Sequence, residues 1–107
     1  MTQVRRTRDQ SAHDRKVRRL SRELKNQGYD VKADVRGYRR PRPIGKYKYR
    51  PDIVARKSGV TKIIEVETPK SLTRDQEQRK TFVRSAAHRR RTTLDIVVTK
   101  SRKSRQK

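Results

Sequence analysis

The sequence predicts an α+β domain in which helices flank one central mixed sheet, in the order α-β-β-β-α-β. Two observations predict this class. Apolar residues recur at helical spacing in two segments, and they alternate or cluster over strand-like lengths in four others. The length of 107 residues allows one domain, and a hydrophobic content of 28% allows only a small core.

The chain divides into a folded centre and two basic ends. A charged fraction of 41% is also typical of disordered chains, but the apolar residues here are clustered and periodic. We therefore predict a basic arm over residues 1–8, a folded domain over residues 9–99 and a basic tail over residues 100–107.

The first helix follows the arm. Val17, Leu20 and Leu24 recur at spacings of three and four, and His13 lies one turn upstream on the same stripe. The stripe is narrow, so one side of the helix is expected to pack while the rest is basic. Gly28 is the candidate for the residue that ends the helix.

Three strands are expected after this helix. In the first, apolar side chains occupy alternate positions over residues 29–35. A loop rich in Pro, Tyr and basic residues follows over residues 38–49. Residues 50–69, RPDIVARKSGVTKIIEVETP, are then predicted to form two strands joined by a tight turn at Ser58-Gly59.

A second helix and a last strand complete the order. Pro69 ends the third strand, and Ser71 or Thr73 is expected to cap a helix that runs to about Arg91. The apolar positions of this helix are Leu72, Phe82, Val83, Ala86 and Ala87. The last strand is TTLDIVVTK, with three inward residues at Leu94, Ile96 and Val98.

Three carboxylates lie inside the most apolar stretch of this basic chain. A two-residue turn pairs Ile53 with Ile64, and one step further it places Asp52 opposite Glu65. Glu67 returns to the same side two positions on. Like charges that face each other are destabilising, and a divalent cation would cancel the repulsion. Oxygen ligands suit Mg²⁺ or Mn²⁺, and a hard cation beside a basic surface favours phosphodiester chemistry.

A second interpretation of the acids needs no metal. Each acid could pair with a basic neighbour such as Arg50 or Lys62 on a solvated face. The metal interpretation requires the carboxylates of Asp52 and Glu65 to lie within reach of a single cation.

Residues 50–69 resemble the active-site hairpin of the PD-(D/E)XK nuclease superfamily. In that superfamily a Pro-Asp pair and an acid-x-Lys motif occupy adjacent strands, and this chain has Pro51-Asp52 followed by the sequence EVE at residues 65–67. The predicted order also matches the superfamily's restriction-endonuclease-like αβββαβ core. The helix that ends in NQGYDV resembles that of archaeal Holliday junction resolvases. The resemblance covers roughly residues 9–99.

The resemblance implies that Asp52 and Glu65 bind Mg²⁺ or Mn²⁺ in a site that cleaves DNA. Glu67 occupies the position where the superfamily commonly has Lys, and we expect it to be a further ligand or to position the attacking water. Alternatively, a lysine from a neighbouring element supplies the missing amine. The lysines nearest in sequence are Lys46, Lys48, Lys62 and Lys70.

The resemblance also indicates helix residues that assist the acids. A polar residue on the second helix often orients water or DNA, and Gln76 is the candidate here. The superfamily tends to place an acid on the first helix, where His13 and Asp14 are the candidates. The alternatives are a solvated Asp14, a His13 that packs at the helix end and an ordinary exposed Gln76.

The charge of the chain predicts a polyanionic partner. Thirty-three Lys and Arg against 11 Asp and Glu give a formal net charge of +22, which favours nucleic acid. An anionic membrane surface is the weaker alternative, because no helix combines a basic face with large apolar residues. The absence of Cys excludes disulfides and thiolate metal sites, and a cytoplasmic location is expected.

The loop after the first strand is the main candidate for DNA contact. Its tyrosine rings are expected to stack on unpaired bases while its cations meet phosphates. The residues predicted to bind nucleic acid are Arg39, Arg40, Arg42, Lys46, Tyr47 and Lys48. The alternative is a solvated loop whose tyrosines cover the sheet.

These observations predict a metal-dependent nuclease that hydrolyses DNA phosphodiester bonds, with branched DNA as a candidate substrate. The alternative is a basic protein with a nuclease-like fold that binds nucleic acid without cleaving it, including one associated with the ribosome. Dimerisation would extend so small a core, so a homodimer is expected.

Overall fold

The computed structural model describes residues 8–99, with side chains from residue 10 onward. The predicted arm, apart from Arg8, and the predicted tail lie outside this range. The helices and strands are α1 (Arg8–Asn26), β1 (Asp30–Ala33), β2 (Ile53–Lys57), β3 (Val60–Glu67), α2 (Pro69–Arg74), α3 (Gln76–Ala87) and β4 (Thr92–Val98).

The four strands form one mixed sheet in the order β1-β2-β3-β4. β2 runs antiparallel to both β1 and β3, whereas β4 runs parallel to β3. The parallel pair needs a crossover connection, which α2 and α3 provide. The predicted α+β class with a single mixed sheet is confirmed, and the described residues contain three helices rather than two.

The hairpin between β2 and β3 has the predicted register. Ser58 and Gly59 have φ angles of 51° and 81°, so both central turn residues adopt the left-handed conformation of a two-residue hairpin turn. Lys57 therefore pairs with Val60, and Ile53 pairs with Ile64. This register brings the start of β2 beside the end of β3.

The two faces of the sheet pack against different elements. The buried residues of the α1 side are Val17, Leu24, Ala33, Ile53, Ala55, Ile64 and Val66. On the opposite side, Ile63 packs with Phe82 of α3 and with Ile44 of the loop. Because side chains alternate along β3, Glu65 and Glu67 lie on the same side as Ile63.

The predicted second helix is in fact two helices. Thr68 caps α2, its hydroxyl accepts the Ser71 N–H, and the Ser71 hydroxyl accepts the Thr68 N–H in return. The expectation that Ser71 or Thr73 caps the helix is therefore wrong, because Pro69 fits the first helical turn and Thr68 precedes it. The helix breaks at Asp75, and α3 ends before the predicted Arg91.

Several apolar residues expected to point inward are exposed. Val83 is 55% exposed and Ala87 is also exposed, so α3 packs through Phe82 and Ala86 instead. On β4, Leu94 packs against the core, but Ile96 and Val98 are 38% and 44% exposed. The reason is that β4 is the edge strand and pairs only with β3.

Candidate functional site

Asp52 and Glu65 form a pair of carboxylates where β2 begins and β3 ends. The Asp52 N–H donates a hydrogen bond to Glu65 Oε1 (3.2 Å), and the Val66 N–H donates one to Asp52 Oδ2 (2.8 Å). Each carboxylate is therefore fixed by the backbone of the neighbouring strand. The hairpin register predicts this adjacency, and the hydrogen bonds hold it.

The two acids line a cleft of about 460 Å³ that is open to solvent on one side. Elements from both faces of the sheet contribute to it, because it lies at the end of the strands. The other polar residues in its wall are two further acids, Asp34 and Asp75, together with Gln10, His13, Arg50, Thr68, Lys70, Ser71, Arg74 and Gln78. The cleft therefore combines four acids with basic, amide and hydroxyl side chains, and two of these acids pair with arginines, Asp34 with Arg40 and Asp75 with Arg74.

His13 of α1 links the cleft to the first helix. Its Nε2 lies 3.1 Å from Asp52 Oδ1, and its Nδ1 lies 3.0 Å from Asp14 Oδ1. The hydrogen bond to Asp52 is the main cause that raises the pKa of His13 to about 9, against the lowering effect of burial. At neutral pH the ring is therefore cationic, and both of its nitrogens donate to carboxylates.

Asp14 is not solvated, so that alternative is wrong. It is only 7% exposed, and it accepts hydrogen bonds from His13 and from Gln10 Nε2 (3.2 Å). Of the two first-helix candidates, His13 contacts the acid pair directly and Asp14 contacts it through His13.

Glu65 is strongly perturbed by its surroundings. Burial is the main cause that raises its pKa to about 9, and the charge of Asp52 raises it further. Hydrogen bonds from the Gln78 amide and the Asp52 N–H act in the opposite direction. Two carboxylates in one buried place thus repel each other, and a cation between them would relieve the repulsion.

Glu67 lies apart from this pair. It is 1% exposed, it accepts a hydrogen bond from the Ser71 hydroxyl, and its Oε2 lies 3.5 Å from Arg79 Nη1. Burial raises its pKa. Glu67 does not line the cleft, so the prediction that all three acids converge is wrong. Within the part of the chain that the structure describes, no group of three or more His, Asp or Glu side chains is arranged to hold a metal ion.

The glutamine that reaches the acids is Gln78 rather than Gln76. Gln78 donates from Nε2 to Glu65 Oε2 and lines the cleft. Gln76 is exposed and lies beside Val83 in a separate depression. The placement of Gln76 near the site was wrong because it assumed an unbroken helix from Leu72, and the break at Asp75 changes the helical phase.

The loop between β1 and β2 carries its predicted cations on the surface. Arg40 Nε pairs with Asp34 at 3.0 Å, and Tyr47 is 70% exposed beneath Lys46, whose Nζ lies 5.7 Å from the ring centroid. Tyr49 instead packs edge-on against Phe82. The exposed cations of this loop are Arg39, Arg40, Arg42, Lys46 and Lys48. Of these, Arg40 and Arg42 each line a cavity, and neither cavity is the acid cleft.

Most residues of the cleft were not predicted as site residues from the sequence. They are Gln10, Asp34, Arg50, Val66, Thr68, Ser71, Arg74, Asp75 and Gln78. Arg50 and Gln78 carried a usable signal, since Arg50 lies two residues before Asp52 and Gln78 lies on the second predicted helix. Gln10 and Arg74 carried none, because their approach depends on how α1 and α2 pack.

No protein-family model matches the chain, and comparisons with curated proteins and with solved structures found no match. Over residues 8–99, none of the helices has the length and apolar character needed to span a bilayer.

Proposed function

We propose that the protein is a metal-dependent nuclease that hydrolyses DNA phosphodiester bonds at the cleft of Asp52 and Glu65. The observation that carries the proposal is the position of these two acids, side by side in a cleft whose walls also hold Arg50, Lys70 and Arg74. Acids would hold a cation, and the basic side chains would hold the phosphates on either side of it.

The donor set of the cleft fits Mg²⁺ or Mn²⁺. Both donors are carboxylates, which are the ligands that hard cations prefer. Burial and, after it, the charge of Asp52 raise the pKa of Glu65, and a bound cation would favour its charged form. When bound, the cation supplies a positive charge that polarises the scissile phosphate. Glu67, buried against Ser71 and Arg79, is assigned here to the support of α2 and α3.

The side chains around the acids have distinct tasks in this proposal. His13 and Gln78 are positioning residues, because each holds one carboxylate through a hydrogen bond. Lys70 lies in the first turn of α2, directly after β3, and its ammonium would attract the phosphate that approaches Glu65. It is the candidate for the amine that the superfamily's motif places at the position of Glu67.

The fold supports the same assignment. Three antiparallel-paired strands are followed by a helical crossover to a parallel fourth strand, with α1 on the other face. This order agrees with the αβββαβ core of restriction-endonuclease-like proteins, except that α2 and α3 replace one helix. The acids lie at the strand ends where that core carries its active-site hairpin.

A cleavage assay tests the proposal. The protein is incubated with duplex, single-stranded and branched DNA of the same sequence, in Mg²⁺, in Mn²⁺ or in a chelator. We expect cleavage with either cation and none with the chelator, and preference for the branched substrate would place the protein among junction-cleaving enzymes. Absence of cleavage on every substrate with both cations would overturn the proposal.

A non-catalytic nucleic-acid-binding protein is the second candidate. The observation that favours it is Glu67, which replaces the motif lysine, accepts a hydrogen bond from the Ser71 hydroxyl and does not itself line the cleft. In that protein the acids Asp52 and Glu65 serve only to fasten β2 to β3. DNA binding without cleavage in the assay above would identify it.

Binding itself should depend steeply on salt. With a net charge of +22, the protein is expected to make many phosphate contacts that release counterions. We expect its affinity for a DNA duplex to fall by at least about a thousandfold between roughly 50 and 200 mM salt. Fluorescence anisotropy over a salt series measures the slope, and an affinity that does not change with salt would contradict an electrostatic partner.

The homodimer stays a prediction. The edge strand β4 carries the exposed Ile96 and Val98, and Val83 of α3 is exposed as well. Sedimentation over a range of protein concentrations measures whether two copies associate.

A further inference from the structure

A second cavity lies on the α3 side of the sheet, toward the opposite end of β2 from the acids. We call it the β2 pocket, and its volume is about 380 Å³. Its floor is apolar and consists of Ile44, Val54 and Ile63. Its rim carries four basic side chains, Lys32, Arg42, Arg56 and Arg89, and one acid, Asp30.

The loop that forms one wall of the pocket is firmly attached to the domain. Ile44 and Tyr49 exchange both backbone hydrogen bonds, at 2.7 and 3.0 Å. The fully buried Pro41 is held by a hydrogen bond from the Arg50 guanidinium to its carbonyl oxygen. The pocket is therefore preformed, as ligand sites usually are.

The charge around the pocket is unbalanced. Within residues 10–99, none of its four basic side chains forms an ion pair. Asp30 is the cross-strand partner of Arg56, so one carboxylate stands against four cations. Three of the four are arginines, whose planar guanidinium groups match phosphate geometry. The rim is therefore suited to a phosphate-bearing ligand.

The apolar floor indicates what else the ligand carries. A bare phosphate chain would need only the cations, whereas a nucleobase can also cover the apolar floor around Val54 with its flat face. A paired base inside a duplex is stacked between its neighbours and cannot enter a pocket, so the base must be unpaired. The floor and the rim together fit one unpaired nucleotide.

We propose that the β2 pocket binds an unpaired nucleotide of the same nucleic acid that enters the acid cleft. This inference rests on the proposed function only in taking the polymer to be nucleic acid. Val54 and Arg56 lie two and four residues beyond Asp52, which is roughly 7 to 13 Å along a strand. One nucleic-acid strand can therefore occupy both places, and the substrate has a single-stranded segment beside the cleaved bond.

The test distinguishes binding of the base from binding of the phosphates. All binding is measured in the presence of a chelator, so that the DNA is not cleaved. Anisotropy measures the affinity for a thymidine hexanucleotide and for a hexamer of the same length without bases. For the wild type we expect the normal hexamer to bind at least about fivefold more tightly than the abasic one, the effect of covering roughly 40 Å² of apolar surface. Val54→Thr keeps every cation but places a hydroxyl in the floor, so this ratio should fall toward one.

Charge-matched variants complete the test. Arg42→Gln with Arg56→Gln should weaken hexanucleotide binding about tenfold and reduce the salt slope by about 1.4, the change expected for two lost single-strand phosphate contacts. Arg15→Gln with Arg22→Gln removes the same charge from the exposed surface of α1 and should have a much smaller effect. Circular dichroism confirms that each variant is folded.

Two results would overturn the inference. One is an equal loss of affinity in the two double variants. The other is a base-dependent ratio that Val54→Thr leaves unchanged, which would assign stacking to another residue such as the exposed Tyr47. Since binding is measured without a divalent cation, failure of the cleavage assay leaves this test valid, and failure here with cleavage intact removes the pocket alone.

Discussion

We expect Asp52→Asn and Glu65→Gln each to lower DNA cleavage by at least about a thousandfold, because in the proposed site each would remove one of two charged ligands worth several kcal/mol to the transition state. Both variants keep a side-chain oxygen that can accept the backbone hydrogen bonds now made by Val66 and Asp52. DNA affinity should persist, since neither change removes a cation that meets phosphate. Cleavage is measured at equal DNA occupancy to separate chemistry from binding.

The chain offers matched controls for these variants. Asp95→Asn on β4 and Glu77→Gln on α3 make the same chemical changes at exposed positions outside the cleft. Both should cleave like the wild type. If Asp52→Asn also cleaved like the wild type, the activity would belong to another site or to a contaminant.

Arg79→Met should destabilise the protein by about 3 kcal/mol, because it leaves the buried Glu67 carboxylate without its cation. The same change removes the hydrogen bond from Arg79 Nη2 to the Leu72 carbonyl, which joins α2 to α3. Urea unfolding measures the effect as a lower midpoint with an unchanged slope. Arg84→Met, at an exposed position of the same helix, should change stability by less than about 0.5 kcal/mol.

A double variant shows whether the two charges act as a pair. Glu67→Gln combined with Arg79→Met removes both charges. Its loss in free energy of unfolding should therefore be smaller than the sum of the losses in the two single variants. Strict additivity would mean that the pair contributes no coupling. Glu67→Gln alone also decides the role of this acid, since we expect it to lower stability while cleavage stays near the wild-type rate. A loss of cleavage as large as that of Asp52→Asn would instead make Glu67 a ligand.

The hairpin was predictable because its geometry is local. A Ser-Gly pair between two apolar runs specifies a two-residue turn, and the turn specifies every pairing from Lys57 outward to Asp52. The adjacency of Asp52 and Glu65 follows from that count alone. The first helix was predictable for a similar reason, since the spacing of Val17 and Leu24 defines its buried stripe.

The errors concern features that depend on distant contacts. The break at Asp75 has no strong sequence signal, because neither Gly nor Pro occurs between Pro69 and the end of α3. A helix without that break would place Gln76, rather than Gln78, beside Glu65. The exposure of Ile96 and Val98 depends on the sheet order. β4 has a neighbouring strand on one side only, whereas a central strand would have neighbours on both sides.

The separation of Glu67 from the other acids is a third kind of error. Strand alternation correctly assigns Glu67 to the same face as Glu65. It does not show which helix residues meet that face, and here Ser71 and Arg79 take up the carboxylate. Whether two acids on the same face of a sheet line the same cleft therefore depends on which helix side chains contact each of them.

Gly45 shows how one missing side chain can set the breadth of the β2 pocket. It has a φ of +83°, and a β-carbon built there would lie 2.6 Å from Thr81 Cγ2 of α3. The loop from Pro41 to Tyr49 therefore approaches α3 this closely only because Gly45 has a hydrogen atom in place of a side chain. Any larger residue at this position would push the wall that contains Ile44 away from Ile63. The size of base that the pocket accepts is thus governed by a residue that lies outside its lining.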